Sequence, residues 1–177
     1  MTERQFYDWQ TAGGGGDVAI LVEALDRRAI PWCMIGGLAV NHWAEEPMAT
    51  ADVDLVIAAE RLEEAVRELE NAGFQARRFL WSINLKGSSR VSVQISTEET
   101  YREFPSRSMA ADVHGIPMRV ASLRDTLAGK VLAWSDRERR PSKRQKDFTD
   151  IMRLVEAHPE LFAELPVDLQ QRIIREQ

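Results

Sequence analysis

The chain has 177 residues, 44% of them hydrophobic and 29% charged, with a formal net charge of −5. That length allows one domain with a buried core, and the composition is typical of a globular protein. An acidic balance argues against a protein that coats nucleic acid with its whole surface, although a local basic patch is compatible with it.

The single cysteine and the first residues of the chain bear on its compartment. Cys33 lies in an apolar run and has no partner for an internal disulfide or for a cysteine metal site. The first residues lack the basic-then-apolar pattern of a signal peptide, and no apolar run approaches the roughly 20 residues of a membrane helix. We therefore expect a cytoplasmic protein without a membrane segment.

Four glycines, Gly13 to Gly16, separate a short N-terminal segment from the rest of the chain. We interpret them as a flexible hinge, because no strand precedes them, as a phosphate-binding loop would require. Asp17 is predicted to cap the following helix over 18–30, which Pro31 ends.

Short strands and helices alternate from residue 32 onward. Residues 32–37 are predicted to form a short buried strand that ends in a glycine pair, and a short helix is predicted over 38–46. A second strand over 52–59 leads into an amphipathic helix over 60–73, which Gly73 closes.

Strands dominate the middle of the chain and helices its end. Three strand-like runs and a hairpin are predicted at 74–79, 81–86, 90–96 and 111–122, with the hairpin turn at Gly115. Ser122 is predicted to cap a helix over 123–136, and Ser142 another over 143–158, before a last short helix.

The order of these elements predicts an α/β or α+β fold. It corresponds to a mixed β-sheet flanked by helices, with a helical C-terminal part. We divide the chain into an N-terminal segment with its hinge over 1–16, a core over 17–121, and a helical part of the same domain over 122–177.

Two acids stand at the start of the second strand. Asp52 and Asp54 are two residues apart, so both side chains point to one face of the strand. Carboxylates this close repel each other unless a cation lies between them, and magnesium prefers such oxygen ligands. The alternative, and for an isolated acid–apolar–acid pattern the more common one, is a solvated strand end with incidental acids.

The glycine pair shifts this balance. Gly36 and Gly37 lie between a predicted strand and a predicted helix, where bare backbone and free amides allow a phosphate to approach. A tight strand-to-helix turn without a ligand is the alternative. Taken together, the two motifs predict a phosphate site beside a metal site.

These motifs resemble the nucleotidyltransferase superfamily, whose signature is a Gly-Gly or Gly-Ser turn followed by an acid–apolar–acid strand. The resemblance implies a nucleotidyltransferase fold in which Gly36 and Gly37 hold a nucleoside triphosphate and Asp52 and Asp54 bind Mg²⁺ or Mn²⁺. Thr50 falls where that superfamily often has a small hydroxyl residue.

One position departs from the superfamily pattern. Many members carry a third carboxylate on a later strand, and the corresponding strand here, 90–96, has the neutral Gln94. An amide cannot serve as a base. Either the protein is impaired, or the third acid comes from elsewhere in the chain.

The C-terminal half resembles the AbiEii-like toxin branch of the superfamily. That branch has a lysine on one helix and a lysine–aspartate pair on the next, with another aspartate three residues later. Lys130, Lys146, Asp147 and Asp150 fit these places. The resemblance implies triphosphate contacts at Lys130 and Lys146, a catalytic role for Lys130 and Asp147, and a cognate antitoxin as partner.

Helical geometry bears on Asp147 independently. At about 100° per residue, Leu154 and Ile151 fall at about −20° and +40° from Asp147, so this carboxylate lies on the apolar side of its helix. A buried carboxylate needs a partner. The metal site or an attacking hydroxyl is one option, and an arginine or a helix N-terminus is the other. For Asp150, at the edge of that side, we expect a salt bridge.

A basic run lies between the two C-terminal helices. Residues 137–146 hold six basic residues and one acid. Such a run is usually a solvated loop, but beside the proposed site it could also steer a polyanion.

The sequence thus predicts transfer of a nucleoside monophosphate from a nucleoside triphosphate to an acceptor hydroxyl. RNA, tRNA or a protein are the candidate acceptors, and Asp147 is the candidate third acid or general base. The alternative is a degenerate module of this fold that binds a nucleotide, RNA or a partner protein. A third possibility, an antibiotic-modifying transferase, is disfavoured because a cationic drug would meet the basic run.

Overall fold

The computed structural model describes residues 14–44, 48, 50, 52–113 and 116–176. The predicted N-terminal segment up to Gly13 and the predicted hairpin turn at Gly115 lie outside these residues. Within them, the secondary structure confirms the predicted mixture of a β-sheet with flanking helices.

The described helices and strands have the following bounds. The α-helices are α1 (Gly15–Arg27), α2 (Gly36–Trp43), α3 (Leu62–Asn71), α4 (Phe104–Arg107), α5 (Leu123–Ser135), α6 (Pro141–Ala157) and α7 (Val167–Glu176). The strands are β1 (Trp32–Ile35), β2 (Asp52–Ile57), β3 (Gln75–Arg78), β4 (Ser82–Lys86), β5 (Ser92–Ser96), β6 (Met109–Val113) and β7 (Ile116–Val120). Short 3₁₀ turns occupy Ala59–Arg61, Glu99–Tyr101 and Pro159–Glu164.

The described strands form one mixed sheet in the order β3-β4-β5-β2-β1-β7-β6. β2 runs antiparallel to β1 and parallel to β5. In this register Asp54 lies opposite Ile35 on one side and opposite Gln94 on the other. The glycine turn after β1, the acid strand and the strand of the missing carboxylate are therefore direct neighbours.

The two faces of the sheet are covered differently. One face carries Leu55 and Val93 and packs against α1 and α3 in the main core. The other face carries Asp54, and a second apolar cluster formed by α5, α6 and the C-terminal segment lies beside it, with Phe148 and Ile151 fully buried. Asp54 thus faces a cleft between the sheet and the C-terminal helices.

Two predicted helix caps are wrong, and one is confirmed. The side chain of Ser122 accepts a hydrogen bond from the amide of Asp125 and caps α5 as predicted. Asp17 lies inside the first turn of α1, because this helix already begins at Gly15. Ser142 lies inside α6, which begins at Pro141 after Arg140. Proline suits the first helical position because its missing N–H has no acceptor there.

Asp17 instead fixes a loop. Its buried carboxylate accepts hydrogen bonds from the amides and hydroxyls of Ser88 and Ser89, between β4 and β5. In the part of the chain that the structure describes, we find no helix with both the length and the apolar character needed to cross a membrane.

Candidate active site

Gly36 joins β1 to α2 and touches the acid strand. Its φ of +68° lies in the left-handed region, which side chains disfavour. A Cβ atom at this position would also overlap Oδ2 of Asp54. The turn therefore needs glycine for both its conformation and its space, and it brings the bare backbone against a carboxylate.

Gly37, Thr50 and Lys146 meet beside this turn. A Cβ atom on Gly37 would lie 3.3 Å from Thr50 Oγ1 and 3.8 Å from Lys146 Nζ. The buried hydroxyl of Thr50 is also 3.4 Å from the carbonyl oxygen of Asp52. A lysine ammonium on α6 and a hydroxyl before β2 thus lie at the N-terminus of α2, where an anion is favoured.

Asp52 and Asp54 point to the same side of β2. Burial, and then the charge of Asp52, raise the pKa of Asp54 to about 6, against the opposing effect of Lys130, Lys146 and Arg139. Asp52 is half-exposed, and its Oδ2 lies 3.6 Å from Lys143 Nζ. A divalent cation would relieve this repulsion, so the oxygen donors present fit magnesium or manganese.

Among the described residues, no third acidic ligand is found beside this pair. Within the described ranges, no group of three or more histidine, cysteine, aspartate or glutamate side chains could hold a metal ion. Gln94 is directly opposite Asp54 on β5 and lines the same cleft. The structure therefore puts a neutral amide at the position where a third strand carboxylate was expected.

A buried ion-pair network forms the opposite wall. Lys130 Nζ lies 3.1 Å from Asp147 Oδ1 and 2.7 Å from Asp150 Oδ2. Arg139 Nε donates to Asp147 Oδ2 at 2.7 Å. Arg153 links Asp150 to Asn41 of α2, at 3.0 and 2.9 Å. Asp147 and Asp150 are almost fully buried, and their partners are cations on α5, α6 and the loop between them.

This network bears on the two options for Asp147. Both of its oxygens accept hydrogen bonds from cations, one from Lys130 and one from Arg139. The helical wheel correctly predicted that this carboxylate is buried. Asp150 forms the expected salt bridge, although it is as deeply buried as Asp147. Lys130 keeps its charge, because the two carboxylates outweigh the effect of burial and raise its pKa above the ordinary value.

The basic run of residues 137–146 folds towards the cleft. Arg139 pairs with Asp147, and Lys143 approaches Asp52. Arg144 donates to the carbonyl of Trp134 at 2.8 Å and stacks over its ring, with 5.7 Å between the guanidinium carbon and the ring centroid. At least these three members are thus held by specific contacts, as an ordinary solvated loop would not be.

Glu98, Tyr101 and Arg139 are among the side chains of the cleft that the sequence did not single out as site residues. Burial, and then the charge of Glu98, raise the pKa of Tyr101 to about 12, so its hydroxyl stays protonated. Glu98 immediately precedes, and Tyr101 ends, a short 3₁₀ turn without a hydrophobic period, so no pattern singled these residues out. Arg139 stood out only as one member of the basic run.

The arrangement suits a charged phosphate ester. Asp52 and Asp54 lie on the sheet, and Lys130, Arg139 and Lys146 lie on the helical side of the same cleft. Acids that hold a divalent cation and bases that neutralise phosphate oxygens are the two requirements of phosphoryl-group chemistry.

Comparison with known proteins agrees with this geometry. The family model described as nucleotidyl transferase AbiEii toxin, Type IV TA system, matches residues 19–176. A search of curated protein sequences finds no match.

Solved structures with the same fold share little sequence with this chain. ANT(2'')-Ia in complex with adenylyl-2''-tobramycin aligns with a TM-score of 0.61 at 16% identity, covering 91% of this chain and 97% of that one. An antigenic nucleotidyltransferase-like protein from Paracoccidioides brasiliensis aligns with a TM-score of 0.57 at 21% identity, covering 90% and 85%. The lincosamide antibiotic adenylyltransferase LnuA aligns with a TM-score of 0.55 at 10% identity, covering 78% and 96%. At these identities the likeness confirms the nucleotidyltransferase fold alone.

Proposed function

The chain belongs to the AbiEii nucleotidyltransferase toxin family, and from this premise we propose that it transfers a nucleoside monophosphate to an acceptor hydroxyl. The acceptor oxygen forms a bond to the α-phosphorus of a nucleoside triphosphate, the bond to the bridging oxygen breaks, and pyrophosphate leaves. The hydroxyl proton passes to the solvent. The close packing of Gly36 on Asp54, beside Asp52, is the observation that carries this proposal.

Asp52 and Asp54 are the residues that would hold Mg²⁺ or Mn²⁺. Nucleotidyltransferases generally use divalent metals, and a bound ion supplies neutralisation of phosphate charge. The donor chemistry fits, since the charge of Asp52 helps to raise the pKa of Asp54 and both carboxylates offer hard oxygen ligands.

The triphosphate contacts we propose are the glycine turn, Thr50, Lys146 and Lys130. The amides at the N-terminus of α2 and the ammonium of Lys146 lie together, so phosphate oxygens would meet both. For Asp147 we propose a positioning role, because accepting a proton would require it to give up Lys130 or Arg139. It would hold these two cations in line with the cleft.

The family and the single buried cysteine support a proposal for the compartment and the partners. We propose a cytoplasmic protein with a cognate antitoxin protein as partner and RNA or tRNA as the candidate acceptor. The second candidate function is a degenerate module that binds a triphosphate without transferring it, and the neutral Gln94 opposite Asp54 favours that alternative.

The test is an incubation with each α-labelled nucleoside triphosphate and Mg²⁺ or Mn²⁺, with and without total tRNA. We expect a labelled acceptor with the wild type and none with Asp52→Asn or Asp54→Asn. The matched control is Asp168→Asn, an exposed acid on α7, which should leave transfer unchanged. Triphosphate binding without any labelled product would contradict the proposed transferase activity and favour the degenerate binding module.

A further inference from the structure

The sheet face that carries the acid pair continues to the edge of the sheet. In the strand register, Asp54 is followed by Gln94 on β5, Asn84 on β4 and Arg77 on β3. Residues directly opposite each other on paired strands project from the same face. With about 4.8 Å between strands, the backbone of Arg77 lies about 14 Å from that of Asp54.

A second row runs parallel to the first. From Asp52 it passes to Ser92. Extending the β4–β5 register by one residue beyond Leu85 leads to Lys86, which pairs with Gln75 on β3. Ser92, Lys86 and Gln75 are exposed, as are Gln94 and Arg77 in the first row. The β3–β5 half of this face is therefore a polar surface that begins at the acid pair.

This half of the face is basic in a protein whose net charge is −5. No residue of β3, β4 or β5 is acidic. Arg77, Lys86 and Arg90 line one groove with Asn84 and Ser92. Within the described part of the chain, these three cations form no ion pair, so their charge is available to a ligand.

Exposed aromatic rings close the outer end of this surface. In the turn between β3 and β4, the exposed fractions of Phe79 and Trp81 are 49% and 57%. The guanidinium carbon of Arg77 lies 5.1 Å from the centroid of the Phe79 ring. Rings of this kind beside unpaired cations are the components of a single-stranded nucleic-acid surface, because bases stack on rings while cations contact phosphates.

We propose that this basic sheet face, formed by Arg77, Lys86, Arg90, Phe79 and Trp81, binds a single-stranded nucleic acid. If the proposed function holds, on which this last step rests, that strand is the acceptor, and its terminal hydroxyl is directed along the polar row towards Asp54. The cations proposed for the triphosphate, Lys130 and Lys146, lie instead on α5 and α6, on the helical side of the cleft.

Charge separates this proposal from protein docking. A protein partner that covered Phe79, Leu80 and Trp81 alone would need no cations along β3 and β4. The cations continue past the turn and lead to the acid pair, as a polyanion requires. A partner of the apolar turn is therefore an outcome that the test below can report.

The test is fluorescence anisotropy of the full chain with a labelled single-stranded RNA of about 20 nucleotides, without triphosphate or divalent cation. We expect the double variant Arg77→Glu with Lys86→Glu to weaken RNA binding at least tenfold. The slope of log affinity against log salt concentration should decrease by about the contribution of two phosphate contacts. Trp81→Ala should weaken binding about fivefold or more. Single-stranded DNA tests whether the sugar of the nucleic acid affects the affinity. Duplex RNA should bind less tightly than single-stranded RNA.

Two controls match these changes. Arg67→Glu reverses an exposed charge on α3, across the sheet, and Leu80→Ala removes an exposed apolar residue that has no ring. Both should change the affinity less than twofold, and thermal unfolding should show that every variant is folded. Equal affinity of the double variant and the wild type, or equal loss in the controls, overturns the proposal. Unchanged RNA affinity in both the double variant and Trp81→Ala leaves the exposed turn of Phe79, Leu80 and Trp81 to a protein partner instead.

The proposed transfer activity and the proposed binding surface can be contradicted independently of each other. If RNA binds through this face but no labelled acceptor forms with any triphosphate, only the proposed function is wrong. If an acceptor is labelled while the double variant keeps its full affinity for that acceptor, only the binding surface is wrong.

Discussion

The backbone of Gly36 lies against the carboxylate of Asp54 with no room for a side chain between them. The two residues come from β1 and β2, which pair antiparallel with Ile35 opposite Asp54. The proposed phosphate turn and the proposed metal site are therefore a single rigid unit. A change in the turn must move the carboxylate, and a change in the carboxylate must leave a gap at the turn.

Gly36→Ala should abolish transfer while the protein still folds. The residue has a φ of +68°, which costs a side chain about 1–2 kcal/mol, and the added methyl group displaces Asp54. We expect a lower melting temperature and at least a hundredfold lower transfer rate, since small displacements of reacting groups are costly. Gly16→Ala is the control, because nothing lies within 4 Å of the added atom. Full activity in Gly36→Ala would contradict the model of a single unit.

The pKa of Asp54 predicts an unusual pH dependence of the metal-free protein. Because its folded pKa, about 6, lies above the ordinary 3.8, the folded state binds the extra proton, and this group destabilises the protein as pH rises through 6. Asp54→Asn should therefore stabilise the protein at about pH 7.5, by up to about 3 kcal/mol. The gain should shrink as pH falls towards 4. Urea unfolding in EDTA measures it.

The same group links stability to the metal. Mg²⁺ should stabilise the wild type at neutral pH and lose this effect below about pH 6, where Asp54 is protonated. Asp54→Asn should show little stabilisation by Mg²⁺ at any pH. If Mg²⁺ stabilises both proteins equally, the ion binds elsewhere, and the assignment of Asp54 as a ligand is wrong.

The sequence predicted the strands and the glycine turn of the site better than it predicted where the helices begin. The strand, the glycine turn and the acid strand were predicted because each has a local pattern of glycines or alternating apolar residues. The ends of the helices were harder to predict. Asp17 and Ser142 are good cap residues by type, but Gly15 and Pro141 begin their helices earlier. A cap depends on which residue starts the helix, and that residue is set by packing.

The partners of the buried carboxylates lay beyond sequence reasoning. Periodicity predicted that Asp147 is buried, but its partners come from another helix and from a loop, Lys130 and Arg139. No spacing rule relates these positions. The open β3–β5 face was equally hidden, because it exists only through the strand order β3-β4-β5-β2.

Lys130→Met should destabilise the protein strongly. Its ammonium is buried between Asp147 and Asp150, at 3.1 and 2.7 Å. Removing it leaves the two buried carboxylates with too little positive charge to balance them. Breaking a buried pair of this kind costs about 3–5 kcal/mol. Lys143→Met is the matched control, because its ammonium is 3.6 Å from a half-exposed Asp52 and should contribute less than about 1 kcal/mol to folding. Denaturant unfolding compares the two variants.

Gln94→Asp should restore a third carboxylate beside Asp54. The two positions are opposite each other on neighbouring parallel strands, so the new acid would share the proposed metal. We expect about tenfold tighter Mn²⁺ binding, because affinity rises with the number of charged ligands. Without metal, the added repulsion should lower stability. Gln75→Asp, at the far edge of the same face, is the control, and equal Mn²⁺ affinity in both variants would show that Gln94 is not next to the metal.

Asp17→Asn should reveal how the carboxylate on α1 holds the loop between β4 and β5. Burial alone would raise the pKa of Asp17, but hydrogen bonds from Ser89 and Ser88 outweigh it and lower the pKa below 3.8. An acid with a depressed pKa stabilises the folded state above its unfolded pKa, and this contribution is lost as pH falls through the folded value. The variant should therefore lose about 2 kcal/mol at pH near 7 and approach the wild type below about pH 4. Glu23→Gln, an exposed change on the same helix, should show no such convergence because Glu23 lies in solvent beside Arg27. A loss in Asp17→Asn that is the same at both pH values would mean that the charge of Asp17 does not stabilise the loop and that the loss comes from how the amide packs.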